Sequence, residues 1–269
     1  MTIAADAVLI DDLTSVVSRA AAAVLALRGA RLDPRIKPDQ SPVTAADEAS
    51  EAIILDGVAR LLPGLPVISE ESFARTGPAA PGPDYVLVDP LDGTRELVAG
   101  RDEFTINVAL MRSGTPILGI VAAPALGLIW RTASDRSAER LRLDPNSPFT
   151  APERTAVRTR PASKSRTIVA AVSRSHLDPA TEAYLQRFPN LSRIVCGSAL
   201  KFCRLAEGAA DVYPRLGPTY QWDVAAGHAL LAAAGGAVTT PDGTPLSYRP
   251  DAMLVPGFIA WGDPTAAGW

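Results

Sequence analysis

The sequence predicts a mixed α/β (α+β) fold, and three observations carry that expectation. Apolar, β-rich runs at 85–89, 104–112 and 116–123 follow closely on one another, the last two joined by the tight turn Ser113-Gly114, as in an antiparallel meander. Helical and strand-like segments alternate through the C-terminal part, the pattern of an α/β layer. Two helical segments precede all the strands.

Residues 7–29 set apolar side chains at helical spacing and end on Gly29, predicting an amphipathic helix. Residues 44–62 predict a second, with Thr44 as N-cap and Asp47 in its first turn. A short strand at 65–69 leads into Glu70-Glu71, and residues 73–84, rich in Pro and Gly, read as loop. Residues 129–132 form a further strand able to join the meander. The stretch 133–165, rich in Arg, Ser and Pro, reads as a hairpin excursion holding a domain boundary, which divides the chain into 1–145 and 146–269. Then come strand 167–172, helix 178–188, strand 192–196, helix 198–207, strand 210–213, helix 222–234 and strand 236–238.

A chain of 269 residues with 47% hydrophobic and 20% charged residues is globular and able to bury a substantial core. A net charge of −3 provides no field for a nucleic-acid polymer, so a polyanionic ligand would need bound cations and a few placed Arg and Lys residues. Cys196 and Cys203 have no metal-ligand spacing and read as reduced thiols. The N-terminus carries Asp6, Asp11 and Asp12 rather than a basic start, and the apolar run 20–27 is too short for a membrane span. The expectation is a cytoplasmic protein without a transmembrane segment, peripheral association with the inner membrane being left open.

Chemistry concentrates in Val88-Asp89-Pro90-Leu91-Asp92-Gly93-Thr94-Arg95-Glu96. Two carboxylates stand where an apolar strand gives way to a turn. Pro90 fixes φ and biases Asp89 toward an extended conformation. Gly93 permits a tight turn, and Thr94 reads as an N-cap. Alone, such a run also describes an Asx-rich turn. Three more acidic segments end elements elsewhere: Asp47, Glu70-Glu71, and Asp223 in Trp222-Asp223-Val224-Ala225-Ala226-Gly227. Asp47 alone could serve a helix N-terminus, and Glu70-Glu71 alone could be a solvated loop. Together they offer the oxygen ligands that Mg²⁺ takes, and crowded carboxylates repel unless cations neutralise them. His176 and His228 lie too far apart to suggest a zinc cluster.

These segments resemble the inositol-monophosphatase-like, lithium-sensitive, Mg²⁺-dependent phosphatases, whose signatures match Ile68-Ser69-Glu70-Glu71, Asp89-Pro90-Leu91-Asp92-Gly93-Thr94 and Trp222-Asp223-Val224-Ala225-Ala226-Gly227. Within that family the chain is most similar to the bacterial 3'(2'),5'-bisphosphate nucleotidase branch of sulfur assimilation. The segments that carry this are Glu103-Phe104-Thr105-Ile106-Asn107-Val108-Ala109-Leu110, Ser173-Arg174-Ser175-His176, Leu200-Lys201-Phe202-Cys203 and Tyr213-Pro214-Arg215-Leu216-Gly217-Pro218-Thr219.

The resemblance implies a layered αβαβα sandwich of the sugar-phosphatase type and two to three Mg²⁺ ions. Glu70, Asp89 and the Leu91 carbonyl would hold one ion, Asp89, Asp92 and Asp223 a second, and Asp47 would reach a third near Glu70. Asp47, Glu70 and Thr94 would be the catalytic group, orienting or deprotonating a water for in-line attack. Asp92, Gly93, Thr94, His176, Ser198, Lys201, Arg215 and Asp223 would bind substrate, with Lys201 and Arg215 facing a second phosphate, Ser198 donating a hydrogen bond to it, and His176 near an adenine ring. The implied activity is removal of the 3'-phosphate from adenosine 3',5'-bisphosphate, and from its sulfated precursor. Rival readings are a sibling inositol monophosphatase or fructose-1,6-bisphosphatase, and a non-catalytic phosphometabolite-binding protein. The partner is then a small bisphosphate nucleotide, and a monomer is favoured over a dimer. Val224, where the family often has Thr, Ala199, where Ser is common, and Leu97, in place of an aromatic, are departures that remove no ligand.

Overall fold

The computed structural model describes residues 5–28, 34–36, 42–77, 82–143, 153–163, 165–175 and 177–267. In chain order these form α1 (Ala7–Leu27), β1 (Arg35–Ile36), β2 (Pro42–Val43), α2 (Ala45–Leu61), β3 (Val67–Ser69), α3 (Glu70–Thr76), β4 (Asp84–Asp92), α4 (Thr94–Val98), β5 (Thr105–Arg112), β6 (Thr115–Ala123), β7 (Leu128–Thr132), β8 (Ala138–Arg142) and β9 (Arg154–Val157). The rest is β10 (Ile168–Ser173), α5 (Pro179–Leu185), β11 (Leu191–Cys196), α6 (Leu200–Ala206), β12 (Val212–Arg215), β13 (Thr219–Tyr220), α7 (Gln221–Ala233), β14 (Ala237–Thr239), β15 (Leu254–Val255) and β16 (Phe258–Trp261).

Strands β3 to β9 lie side by side in chain order as one seven-stranded sheet, antiparallel except for the parallel pair β3 and β4. Alternation along β5 sends Ile106, Val108 and Leu110 to one face, where they pack with Leu13, Val17, Val24, Ile54 and Val58 of α1 and α2. Ala109 and Met111 face the other way, into a core shared with Phe202 and Leu205 of α6 and Ala225, Ala226 and Leu230 of α7. Beyond those two helices lies a mixed five-stranded sheet in the order β11-β10-β12-β16-β14. Tyr213, Val238 and Phe258 face the helices, while Val172, Val212 and Ile259 pack outward with Leu185 of α5. Five layers result, helix, sheet, helix pair, sheet, helix, which is the αβαβα sandwich.

Several local expectations change. Thr94 is the first residue of α4, and Gly93, in the left-handed region at φ 95°, is its N-cap. Part of the expected loop 73–84 is helical, since α3 runs to Thr76. The excursion 133–165 supplies β8 and β9, which extend the first sheet. The C-terminal α/β layer has a mixed sheet, because β16, unanticipated, inserts antiparallel between β12 and β14. Gly29 lies outside the described residues, and α1 ends at Leu27. Among the described residues no helix is long and apolar enough to cross a membrane. Cys196 and Cys203 are buried free thiols.

Candidate active site

The acidic turn is an extension of β4. Its register against β5 shifts between Asp89, paired with Asn107, and Asp92, paired with Thr105. That bulge inserts an extra residue and bends the strand, which is how two aspartates three positions apart turn toward one cleft. Asp89 is 1% exposed. Its Oδ1 accepts from Leu91 N (3.1 Å), as in an Asx turn. Both readings of this run therefore hold together: the turn is local, and it aims carboxylates. Gly93 stands at φ +95°, where a side chain is strained, and a Cβ there would meet Ser198 Oγ at 2.4 Å, so glycine suits this turn.

Asp47 and Asp223 arrive by one device used twice. Each is the third residue of a long helix and bonds back to that helix's N-cap. Asp47 Oδ2 accepts from Thr44 N (2.8 Å) and Thr44 Oγ1 (2.7 Å), which leaves Oδ1 to accept from Thr94 Oγ1 (2.7 Å). Asp223 Oδ2 accepts from Tyr220 N (3.0 Å) and from the Thr219 hydroxyl. Close packing holds α7 over the first sheet: a Cβ on Gly119 of β6 would lie 2.2 Å from Ala226 O. Asp223 is thereby held on the sheet that carries the acidic turn, though it comes from the other end of the chain.

Glu70, Asp89, Leu91, Asp92, Gly93, Thr94, Ser198, Lys201, Arg215 and Asp223 line a single cleft, joined by Glu96, Tyr213, Thr219 and Tyr220. Glu71, next to Glu70, is instead buried. Burial, then the charges of Glu70, Asp92 and Asp223, push the Asp89 carboxyl well up. Burial and Asp223 raise Asp92 to about 7, against the pull of Lys201 and Arg215. Anionic oxygens massed in this way fit a hard divalent cation. No three acidic side chains among the described residues enclose one ion position on their own. Two of these carboxylates at a time, completed by waters and substrate phosphate, would still suit Mg²⁺.

The same cleft is lined by two cations. Lys201 on α6 is 2% exposed, not on a solvated helix face, and its Nζ donates to Ser198 O (2.5 Å) and lies 5.2 Å from the Tyr213 ring centroid. Arg215 ends β12 and donates to Pro218 O (3.2 Å). Burial opposes its charge, but the Tyr213 hydroxyl and the carboxylates of Asp223 and Asp92 outweigh it and raise its pKa. Ser198 does not offer its proton to the cleft: Oγ donates to Asp92 O (2.8 Å) and Glu103 O (2.9 Å). His176 lies outside the described residues. His228, on α7, is partly buried and hydrogen-bonded to Tyr248 OH (3.0 Å).

Residues 8–265 match the sequence profile of the inositol monophosphatase family. The chain belongs to that family. It is 42% identical over 229 residues to the 3'(2'),5'-bisphosphate nucleotidase CysQ of Escherichia coli (strain K12), covering 84% of this chain and 88% of the relative. Against the protein of that name from Haemophilus influenzae the identity is 30% over 231 residues, covering 85% and 83%. The crystal structure of CysQ from Bacteroides thetaiotaomicron superposes with a TM-score of 0.77 at 30% identity, covering 93% of this chain and 95% of that one. An inositol monophosphatase from Anabaena shares the fold, with a TM-score of 0.71 at 24% identity and coverage of 96% and 92%.

Sequence reasoning missed Tyr213, Thr219, Glu96 and Glu103 as shapers of the cleft. All four sit inside segments already singled out, and Thr219 could have been found from its spacing, four before Asp223 at a helix start.

Proposed function

We propose that this chain is a 3'(2'),5'-bisphosphate nucleotidase, a Mg²⁺-dependent phosphatase that removes the 3'-phosphate of adenosine 3',5'-bisphosphate and, by the same chemistry, of 3'-phosphoadenosine 5'-phosphosulfate. The observation that carries it is one cleft lined both by the acidic cluster and by the cations Lys201 and Arg215. A substrate with one phosphate has no use for the two cations. The 42% identity to a curated nucleotidase supports the same reading.

By the family resemblance Glu70, Asp89 and the Leu91 carbonyl would hold one Mg²⁺ and Asp47 would reach a third, while Asp89, Asp92 and Asp223 would have to draw together to hold a second. Such ions lower the pKa of a bound water and offset charge on the transferring phosphoryl group. The protein's own contribution starts at Thr94. Its hydroxyl proton is committed to Asp47 Oδ1, so its oxygen is oriented to accept a hydrogen bond from an attacking water. Asp47 then serves as the proton's destination through that hydroxyl. Backbone N–H groups of Gly93 and Thr94 at the turn would meet phosphate oxygens, and Lys201 and Arg215 the distal phosphate, Arg215 as a fork and Lys201 as a point charge.

Phosphate release from adenosine 3',5'-bisphosphate, inositol 1-phosphate and fructose 1,6-bisphosphate with and without Mg²⁺ tests the proposal. The expected result is Mg²⁺-stimulated turnover with the highest kcat/KM on the nucleotide. A higher kcat/KM on either of the other two substrates would refute it.

A further inference from the structure

Helix α2 meets three separate segments through one buried polar face. Asp47, Ser50 and Glu51 are all buried, and spacings of three and four residues put them on the same side of the helix. Asp47 Oδ1 accepts from Thr94 Oγ1, and Ser50 Oγ donates to Pro90 O (2.6 Å), so both touch the acidic turn. Glu51 reaches the corner where β3 passes into α3. Its Oε1 accepts from Ser69 Oγ (2.5 Å), Ser72 N (2.9 Å) and Ser72 Oγ (2.9 Å), and its Oε2 from Arg75 Nη2 (2.8 Å). Ser72 is the third residue of α3, whose N–H an N-cap side chain ordinarily receives. Here the N-cap, Ser69, makes no such bond and gives its hydroxyl to Glu51 instead. A carboxylate from another helix therefore does the capping. Burial opposes the charge of Glu51, but the bonds from Ser69, Arg75 and Ser72 outweigh it and hold the carboxyl below the usual range. With seven residues α3 is too short to hold helical form by itself, and its first residue is Glu70, which lines the cleft.

We propose that Glu51 is a positioning residue for Glu70: it fastens the first turn of α3 to α2, and so sets where the Glu70 carboxylate stands relative to Asp47 and Asp89. One rigid helix then indexes three pieces of the site, Thr94 through Asp47, the acidic turn through Ser50, and Glu70 through Glu51. Glu51 itself is not among the residues that line the cleft. This rests on the proposed reading of Glu70 as a Mg²⁺ ligand.

Glu51→Gln gives the sharpest test, because it keeps the length of the side chain while turning one acceptor oxygen into an amide that faces donors. Mg²⁺ titrated calorimetrically into the substrate-free protein should bind with a Kd about tenfold above wild type, the lower end of what loss of an outer support to a metal ligand costs. KM for adenosine 3',5'-bisphosphate at saturating Mg²⁺ should stay within about twofold. A merely structural role would lower the melting temperature and the number of Mg²⁺ bound per chain, and leave the Kd of the folded fraction where it was. If Glu51 acts through Glu70, the E51Q/E70Q double variant should bind Mg²⁺ no more weakly than E70Q alone. Should E51Q fail to fold, Ser72→Ala, which gives up one bond to the same carboxylate, carries the comparison with a rise in Kd of about threefold. A Kd unchanged in E51Q but raised in E70Q, or additive losses in the double variant, would overturn the positioning role while leaving the function intact. An E70Q protein that binds Mg²⁺ like wild type would overturn the reading of Glu70 as a ligand, and the proposal with it.

Discussion

Asp89, Leu91, Asp92 and Thr94 reach the cleft from a single turn, whereas Lys201 and Arg215 come from a helix and a strand of the other sheet. The acidic turn is shaped largely from within, by Pro90, a bulge against β5 and Gly93 at positive φ, although Asp47, Glu70 and Asp223 come to it from three helices. The cationic wall is shaped by hydrogen bonds between segments far apart in sequence, through Ser198, Glu103 and Arg174. On the proposed function, the centre of the chemistry lies in this local turn and substrate choice in residues brought from the other sheet and its helix. Changes to the first should act on kcat, and changes to the second on KM.

The largest effect belongs to the acidic wall. Asp89→Asn keeps the shape of the turn but removes the buried carboxylate that the two proposed Mg²⁺ ions would share, and kcat should fall by at least about 10³, roughly 4 kcal/mol of barrier. Phosphate release at saturating Mg²⁺ measures it, and near-normal turnover would move the chemistry out of this turn. Thr94→Val is the finer version. It deletes the hydroxyl bonded to Asp47 and should lower kcat by about 10²-fold, a typical share for proton transfer. The Mg²⁺ concentration for half-activation should hold steady, and a shift of that midpoint with kcat intact would make Thr94 a metal-site residue instead.

A control lies outside both walls. Burial lowers the pKa of His228 to about 4, against about 6.5 for an unfolded histidine. Between those values the unfolded chain binds the extra proton, so stability falls as pH drops from about 6.5 toward 4, by at most about 1.4 kcal/mol per pH unit. Above about 6.5 the group contributes no pH dependence. Melting temperatures of His228→Gln at pH 7 and pH 5 should differ less than those of wild type. An equal acid-side loss in the variant would assign that loss to the carboxylates instead.

The same contrast explains what the sequence disclosed. Asp47, Glu70, Asp89, Asp92 and Asp223 were legible because each sits at the end of an element with the residues that shape it beside it in the chain: Thr44 before Asp47, Pro90 and Gly93 around Asp92. The meander and both N-terminal helices were legible from periodicity. Ser198 was not, since the destination of its hydroxyl depends on where residues 92 and 103 meet it in space, and the sequence suggested a phosphate instead. The strand β16 escaped notice because Phe258–Trp261 is short and follows Pro256-Gly257, which reads as loop. Helix α3 was hidden by the Pro- and Gly-rich composition just beyond it.

The division of labour between the walls is tested most directly by Arg215→Met, assayed on adenosine 3',5'-bisphosphate beside adenosine 3'-monophosphate. KM for the bisphosphate should rise at least about tenfold, as for loss of one charge-assisted contact, with KM for the monophosphate and both kcat values close to wild type. A matching rise on the monophosphate, or a fall in kcat with KM unchanged, would contradict the account.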